Sequence, residues 1–121
     1  MTIVYFDSSA FVKLIVEEEG SDFAADLWDG CDAAVSSKLA YPEVRAALAA
    51  AGRAHRLTPD QQARAETGWE HVWMTVRAIE LTDTVTARVG QLASSYALRG
   101  ADAVHLASFR AIGGADSVCA V

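Results

Sequence analysis

The stretch Ile3-Val4-Tyr5-Phe6-Asp7-Ser8-Ser9 decides the reading of the fold. Its first four residues are apolar and rich in β-formers, which predicts a short buried strand over 3–6. An acid, Asp7, closes that strand. Ser8 and Ser9 follow as candidate caps for a helix carrying Ala10, Phe11, Leu14 and Ile15.

The same alternation recurs along the chain. Glu17–Gly20 ends the first helix, and a second is expected from about Ser21, with Phe23, Ala24, Leu27 and Trp28 on one face. Ala33–Ser36 is a second strand. A helical pattern then starts at Ser37 and runs through Leu39, Val44, Ala47, Leu48 and Ala51. Pro42 is tolerable only in a first turn, so the regular helix is predicted to begin near Tyr41, with Gly52 as its stop. Thr58-Pro59-Asp60-Gln61 is a helix start with a Thr cap, and that helix carries Ala63, Trp69, Val72, Trp73 and Val76. Ala78–Leu81 is a third strand. Thr82 or Asp83 caps a helix through Val85, Val89, Leu92, Ala93 and Tyr96, broken at Gly100. Ala101–Ile112 is a further helix closed by Gly113-Gly114, and Ser117–Val121 a final strand. Short strands alternating with helices imply an α/β domain whose mainly parallel sheet is covered on both faces. Ligands of such sheets bind outside the carboxyl ends of the strands.

Composition narrows the class. The 121 residues suit one domain, and 52% hydrophobic against 21% charged residues argues against disorder. No apolar run is long enough to span a bilayer, and the N-terminus lacks the features of a secretory signal, so a cytoplasmic location is expected. Cys31 and Cys119 form no C-x-x-C pair and read as buried free thiols. The net charge of −6 argues against a passive nucleic-acid binder, which is usually basic. It allows an enzyme that reaches phosphate through bound cations, and it suits a basic protein partner. No G-x-G-x-x-G or P-loop is present.

Three acids stand where the sheet rule makes position informative. Asp7 follows the first strand, Glu43 lies in the first turn of the helix after the second, and Asp102 lies in the first turn after Gly100. Each is set in apolar sequence. Converging carboxylates repel one another, and a hard divalent cation such as Mg²⁺ removes that problem. Such a cation would activate water for phosphodiester hydrolysis. The plainer alternative stands for each: an acid in a first turn complements the helix dipole, and an Asp after a strand caps the next helix.

The motifs Asp7-Ser8-Ser9-Ala10, Tyr41-Pro42-Glu43-Val44 with Arg45, and Ala101-Asp102-Ala103-Val104-His105-Leu106-Ala107, in this order over essentially the whole chain, resemble the PIN-domain family, and within it the VapC toxins of VapBC toxin–antitoxin modules. The resemblance implies a three-layer α/β/α sandwich and Mg²⁺- or Mn²⁺-dependent endoribonuclease activity. It also implies a homodimer and a cognate VapB-like antitoxin. It makes Asp7 and Asp102 the principal metal ligands and Glu43 their neighbour, as a ligand or through water. Ser9 would hydrogen-bond within the site. The family also carries a fourth acid after the last strand, in a Thr-x-Asp segment. The sequence stops at Val121 inside the predicted strand, and Asp116 precedes that strand, at the opposite end. A single domain over 1–121 lacking its C-terminal end is therefore expected.

Other residues admit two readings. Arg45 and Arg99 would either contact substrate phosphate or neutralise the carboxylates. His105, one turn after Asp102, is either a metal ligand or, as the simpler reading has it, a hydrogen-bonded histidine packed against the sheet. Trp69, Trp73 and Met74 would form a dimer or antitoxin surface rather than a base-stacking platform. Two competing functions remain: a non-catalytic PIN-fold binding module, and a phosphoryl-accepting receiver or phosphatase, which usually pairs acids around the first strand where Asp7 stands alone.

Overall fold

The computed structural model describes residues 2–113 and 117–120. Its elements follow the order β1 (Ile3–Phe6), α1 (Ser8–Ile15), α2 (Ser21–Gly30), β2 (Ala33–Ser37), α3 (Ala40–Arg53), α4 (Pro59–Thr75), β3 (Arg77–Ile79), α5 (Asp83–Tyr96), α6 (Gly100–Ile112) and β4 (Ser117–Ala120). The strands form one sheet of order β3-β2-β1-β4, and every pairing is parallel. Val4 stands between Ala34 on one side and Val118 on the other.

The two-residue period of a strand divides β1 between two helical layers. Val4 and Phe6 enter a core with Phe11 of α1, Val44 and Leu48 of α3, and Ala65 and Trp69 of α4. Phe6 stacks on Phe11 at 5.4 Å between ring centroids, and Phe11 meets Trp69 at 4.9 Å. Trp28 of α2 lies edge-on to Phe6, so α1 to α4 cover this face. Tyr5 points the other way and meets Phe109 of α6 edge-on at 5.9 Å. There α5 and α6 close a smaller core of Val85, Leu92, Ala103 and Ala107. The architecture is the expected three-layer α/β/α sandwich. No described helix is long and apolar enough to cross a membrane.

Several local expectations change. Of the two cap readings, that of Asp7 holds and that of Ser8 or Ser9 does not: the Asp7 carboxylate caps α1, accepting from the Ala10 N–H. The third strand is Arg77–Ile79, shifted toward α4 from the predicted Ala78–Leu81. Gly100 does not break α5. That helix ends at Tyr96 with Ala97 in the left-handed region (φ 52°), and Gly100 instead opens α6. Gly52 does not stop α3, which continues through Arg53. A Cβ at Gly52 would run into the end of the flexible Gln62 side chain of α4, which would have to shift. At α4 the capping box is complete: Thr58 Oγ1 accepts from the Gln61 N–H, and Gln61 Oε1 accepts from the Thr58 N–H.

Trp69 is wholly buried, Trp73 packs against the same core and Met74 is exposed. The three therefore do not form one surface stripe. The helix turns the tryptophans inward, where the Trp69 indole N–H also finds the Tyr41 carbonyl at 3.3 Å. Cys31 is half-buried and its thiol contacts the Trp28 carbonyl; burial pushes its pKa up. The Cys119 side chain, Gly114, Asp116 and Val121 lie outside the described residues.

Candidate active site

Three helix N-termini meet at the carboxyl end of β1, and each carries one of the acids. Asp7 is there because the strand ends on it and α1 begins after it. Its Oδ1 accepts from the Ala10 N–H at 2.9 Å and from Ser9 Oγ at 2.8 Å. Glu43 is in the first turn of α3 and Asp102 in the first turn of α6. All three line one cleft of about 420 Å³, with Ser8, Ser9, Val12, Glu18, Ala47, Arg99 and His105.

Glu43 is half-buried, and its contacts reach across the sheet to the opposite helical layer. Its Oε1 accepts from Ser8 Oγ at 2.6 Å and stands 2.7 Å from His105 Nε2. The other ring nitrogen of His105 lies 2.8 Å from the hydroxyl of the fully buried Tyr5. His105 is thus tied to the sheet, as the simpler sequence reading has it. Asp102 is more open, with Oδ2 3.0 Å from Arg99 Nε. Arg99 itself is 87% exposed, so the pair is solvent-screened and contributes little to stability.

Arg45 lies elsewhere, which corrects its expected place in the site. It does not line the cleft; its guanidinium reaches Glu70 at 2.9 Å and Glu66 at 3.8 Å on α4. The helical period of α3 turns Arg45 toward its neighbouring helix while Glu43, two residues earlier, faces the cleft. Two residues were not singled out for the site from sequence, Ser8 in the cleft and Tyr5 buried behind it. Ser8 was read only as a cap, and Tyr5 only as part of a strand; the alternation along β1 was the available signal that Tyr5 faces α6.

The donor chemistry of the cleft is that of a hard cation. It offers carboxylate oxygens from three elements, and the hydrogen bonds on Asp7 and Glu43 all fall on one oxygen of each. Among the described residues no three His, Cys, Asp or Glu side chains are grouped closely enough to hold an ion as a set. Carboxylates of this kind could hold a cation one or two at a time, with water and substrate phosphate completing its shell, as is usual for Mg²⁺.

A parallel sheet covered on both faces, with acids gathered at the carboxyl end of its central strand, is the arrangement of the PIN domain. The model of that family matches residues 4–115, and the chain belongs to it. Within the family, it is 61% identical over 121 residues to two Mycobacterium tuberculosis proteins, Ribonuclease VapC45 and Ribonuclease VapC49. Each alignment covers all of this chain and 84% of the relative. Solved structures share the fold at low identity. M. tuberculosis VapC20, a sarcin–ricin-loop-cleaving toxin, aligns with a TM-score of 0.69 at 15% identity, over 91% of this chain and 83% of that one. A chain of a Klebsiella pneumoniae toxin–antitoxin complex aligns with a TM-score of 0.66 at 19% identity, over 90% and 79% respectively.

Proposed function

We propose that this protein is a VapC-type endoribonuclease, the toxin of a toxin–antitoxin pair, and that it hydrolyses RNA phosphodiesters in the acidic cleft with Mg²⁺ or Mn²⁺. The observation that carries the proposal is the convergence of Asp7, Glu43 and Asp102, from three separate elements, on one cleft. The 61% identity with two proteins named as ribonucleases supports the same reading.

Asp7 and Asp102 are the proposed metal-holding residues, and Glu43 adds a third carboxylate as a ligand or through water. A divalent cation, when bound, lowers the pKa of a water and offsets charge on the phosphoryl oxygens. The remaining work belongs to the chain. Ser9 fixes one oxygen of Asp7 and leaves the other available. Arg99, at the mouth beside Asp102, is placed to meet a phosphate when its exposed ion pair opens. A VapB-like antitoxin and a second copy of the chain are the proposed protein partners. The net charge of −6 favours a basic segment in the antitoxin.

The test is cleavage of structured RNA with and without Mg²⁺ or Mn²⁺, beside Asp7→Asn. Metal-dependent cleavage that the variant loses is expected. Cleavage that persists in EDTA or in Asp7→Asn would sink the metal–carboxylate mechanism, and RNA binding without cleavage would favour a binding module. Co-expression with the product of the neighbouring gene tests the partner; the absence of a complex overturns that part.

A further inference from the structure

Nothing in the proposed chemistry uses His105, Tyr5 or Ser8, yet they form a polar network that runs from the buried sheet to Glu43 in the cleft. Tyr5 is fully buried on the central strand, and its hydroxyl meets His105 Nδ1 at 2.8 Å. His105 presents Nε2 to Glu43 Oε1 at 2.7 Å, and Ser8 Oγ donates to the same oxygen at 2.6 Å. The side chain of His105 is 11% exposed and that of Glu43 29%. Ser8 Oγ also lies 3.4 Å from His105 Nε2, and the Nε2–H tautomer is an arrangement of protons consistent with these contacts. Tyr5 donates to Nδ1, His105 carries its proton on Nε2 and donates it to Glu43, and Ser8 donates beside it. Two donors then hold Oε1, while no hydrogen bond among the described residues engages Oε2.

The geometry points to His105 as a positioning residue, locked by Tyr5, that fixes the Glu43 carboxylate so that its second oxygen is presented for the cation. The idea rests on the metal-site reading above. A glutamate on three rotatable bonds loses freedom on binding an ion, and a carboxylate already oriented loses less. Groups that orient a ligating side chain typically change metal affinity or activity by about 10- to 100-fold when removed. The network also couples the layers, since Glu43 belongs to α3 and His105 to α6. The orientation of one acid thereby depends on the seating of the helix that carries another, Asp102.

Two polar substitutions separate positioning from mere packing. Glutamine places its amide nitrogen near that of Nε2, whereas asparagine places it near Nδ1. His105→Asn is expected to weaken Mn²⁺ binding, measured by electron paramagnetic resonance, by about tenfold, and to lower kcat with KM for RNA unchanged. His105→Gln is expected to stay within about threefold of the parent. Thermal unfolding of each variant reports that it is folded. The metal-free protein supplies an independent reading: ¹⁵N shifts of His105 should show the Nε2–H tautomer. Equal Mn²⁺ affinity in the parent and His105→Asn, His105→Gln no better than His105→Asn, or a proton on Nδ1 would each overturn the positioning role and leave the metal site standing. Absence of Mn²⁺ binding by the parent, or full binding by Asp7→Asn, would overturn the metal reading and this inference with it.

Discussion

Arg45 Nη1 lies 2.9 Å from Glu70 Oε1, and the Tyr41 hydroxyl donates to the same carboxylate oxygen at 2.5 Å. The three residues fasten α3 to α4 next to the Trp69–Trp73 pair, whose rings lie 5.4 Å apart. The hydrogen bond from Tyr41, ahead of the one from Arg45, holds the Glu70 carboxyl below its ordinary value of 4.5.

That depression gives a pH dependence. A carboxyl that titrates lower in the folded state stabilises the fold fully above its unfolded value, and the contribution is lost as pH falls through the folded value. Glu70→Gln is expected to lower Tm by a few degrees at neutral pH, since the pair is partly exposed. The gap from the parent should begin to narrow as pH falls below the ordinary 4.5 and close as it passes the lower, folded value. Melting curves across that range check it, and a gap undiminished at about pH 3 would contradict the assignment.

Asp7→Asn separates chemistry from stability. Asparagine caps a helix about as well as aspartate, so Tm should hardly move. Cleavage should fall by at least about 100-fold, as several kcal/mol of transition-state stabilisation depend on the cation. Parallel cleavage assays and thermal melts would read the two effects; a large drop in Tm would mean that Asp7 is chiefly structural.

Trp69→Ala should be among the costliest single changes. The ring is fully buried between Phe11, Tyr41 and Trp73, and truncation should cost about 3–5 kcal/mol. Urea unfolding measures it. A loss below about 1 kcal/mol would mean that the core collapses around the void or that Trp69 is not in it.

Gly52→Ala is expected to be close to neutral. Alanine gains up to about 1 kcal/mol of helix propensity, but its Cβ displaces Gln62, which donates to Glu66 at 3.0 Å. Removing the obstacle should release the gain: Gly52→Ala in a Gln62→Ala background should stabilise by about 0.5–1 kcal/mol relative to Gln62→Ala alone. A double-mutant cycle on urea midpoints reads the coupling, and strict additivity would count against the close approach.

Strands, helix order and the three acids were legible because local pattern sets them. An apolar run closed by an acid marks β1, a capping box marks α4, and the sheet rule then locates Asp7, Glu43 and Asp102. What stayed hidden depends on partners distant in sequence. Periodicity gives the face on which Arg45 lies but not that Glu70, 25 positions on, is waiting there. Gly52 has the appearance of a stop, and only the neighbouring helix shows that it is a point of contact. Ala97 ends α5 in a conformation that nothing in its own chemistry favours. Ser8 carries a cap residue's signature and spends its hydroxyl on Glu43 instead.

The sheet order carries a consequence for how the molecule comes into being. Ile3 is paired with Ser117 on one side and Ala33 on the other, so of the four described strands the first in sequence is the last to be flanked on both edges. Asp7 and Glu43 precede Asp102 in sequence, by 95 and 59 positions respectively. A nascent polypeptide therefore carries Asp7 and Glu43 for some sixty residues before Asp102 can join them. Long-range parallel pairing of this kind closes slowly, so the cleft is completed only when β1 has gained β4 and the helix that precedes it.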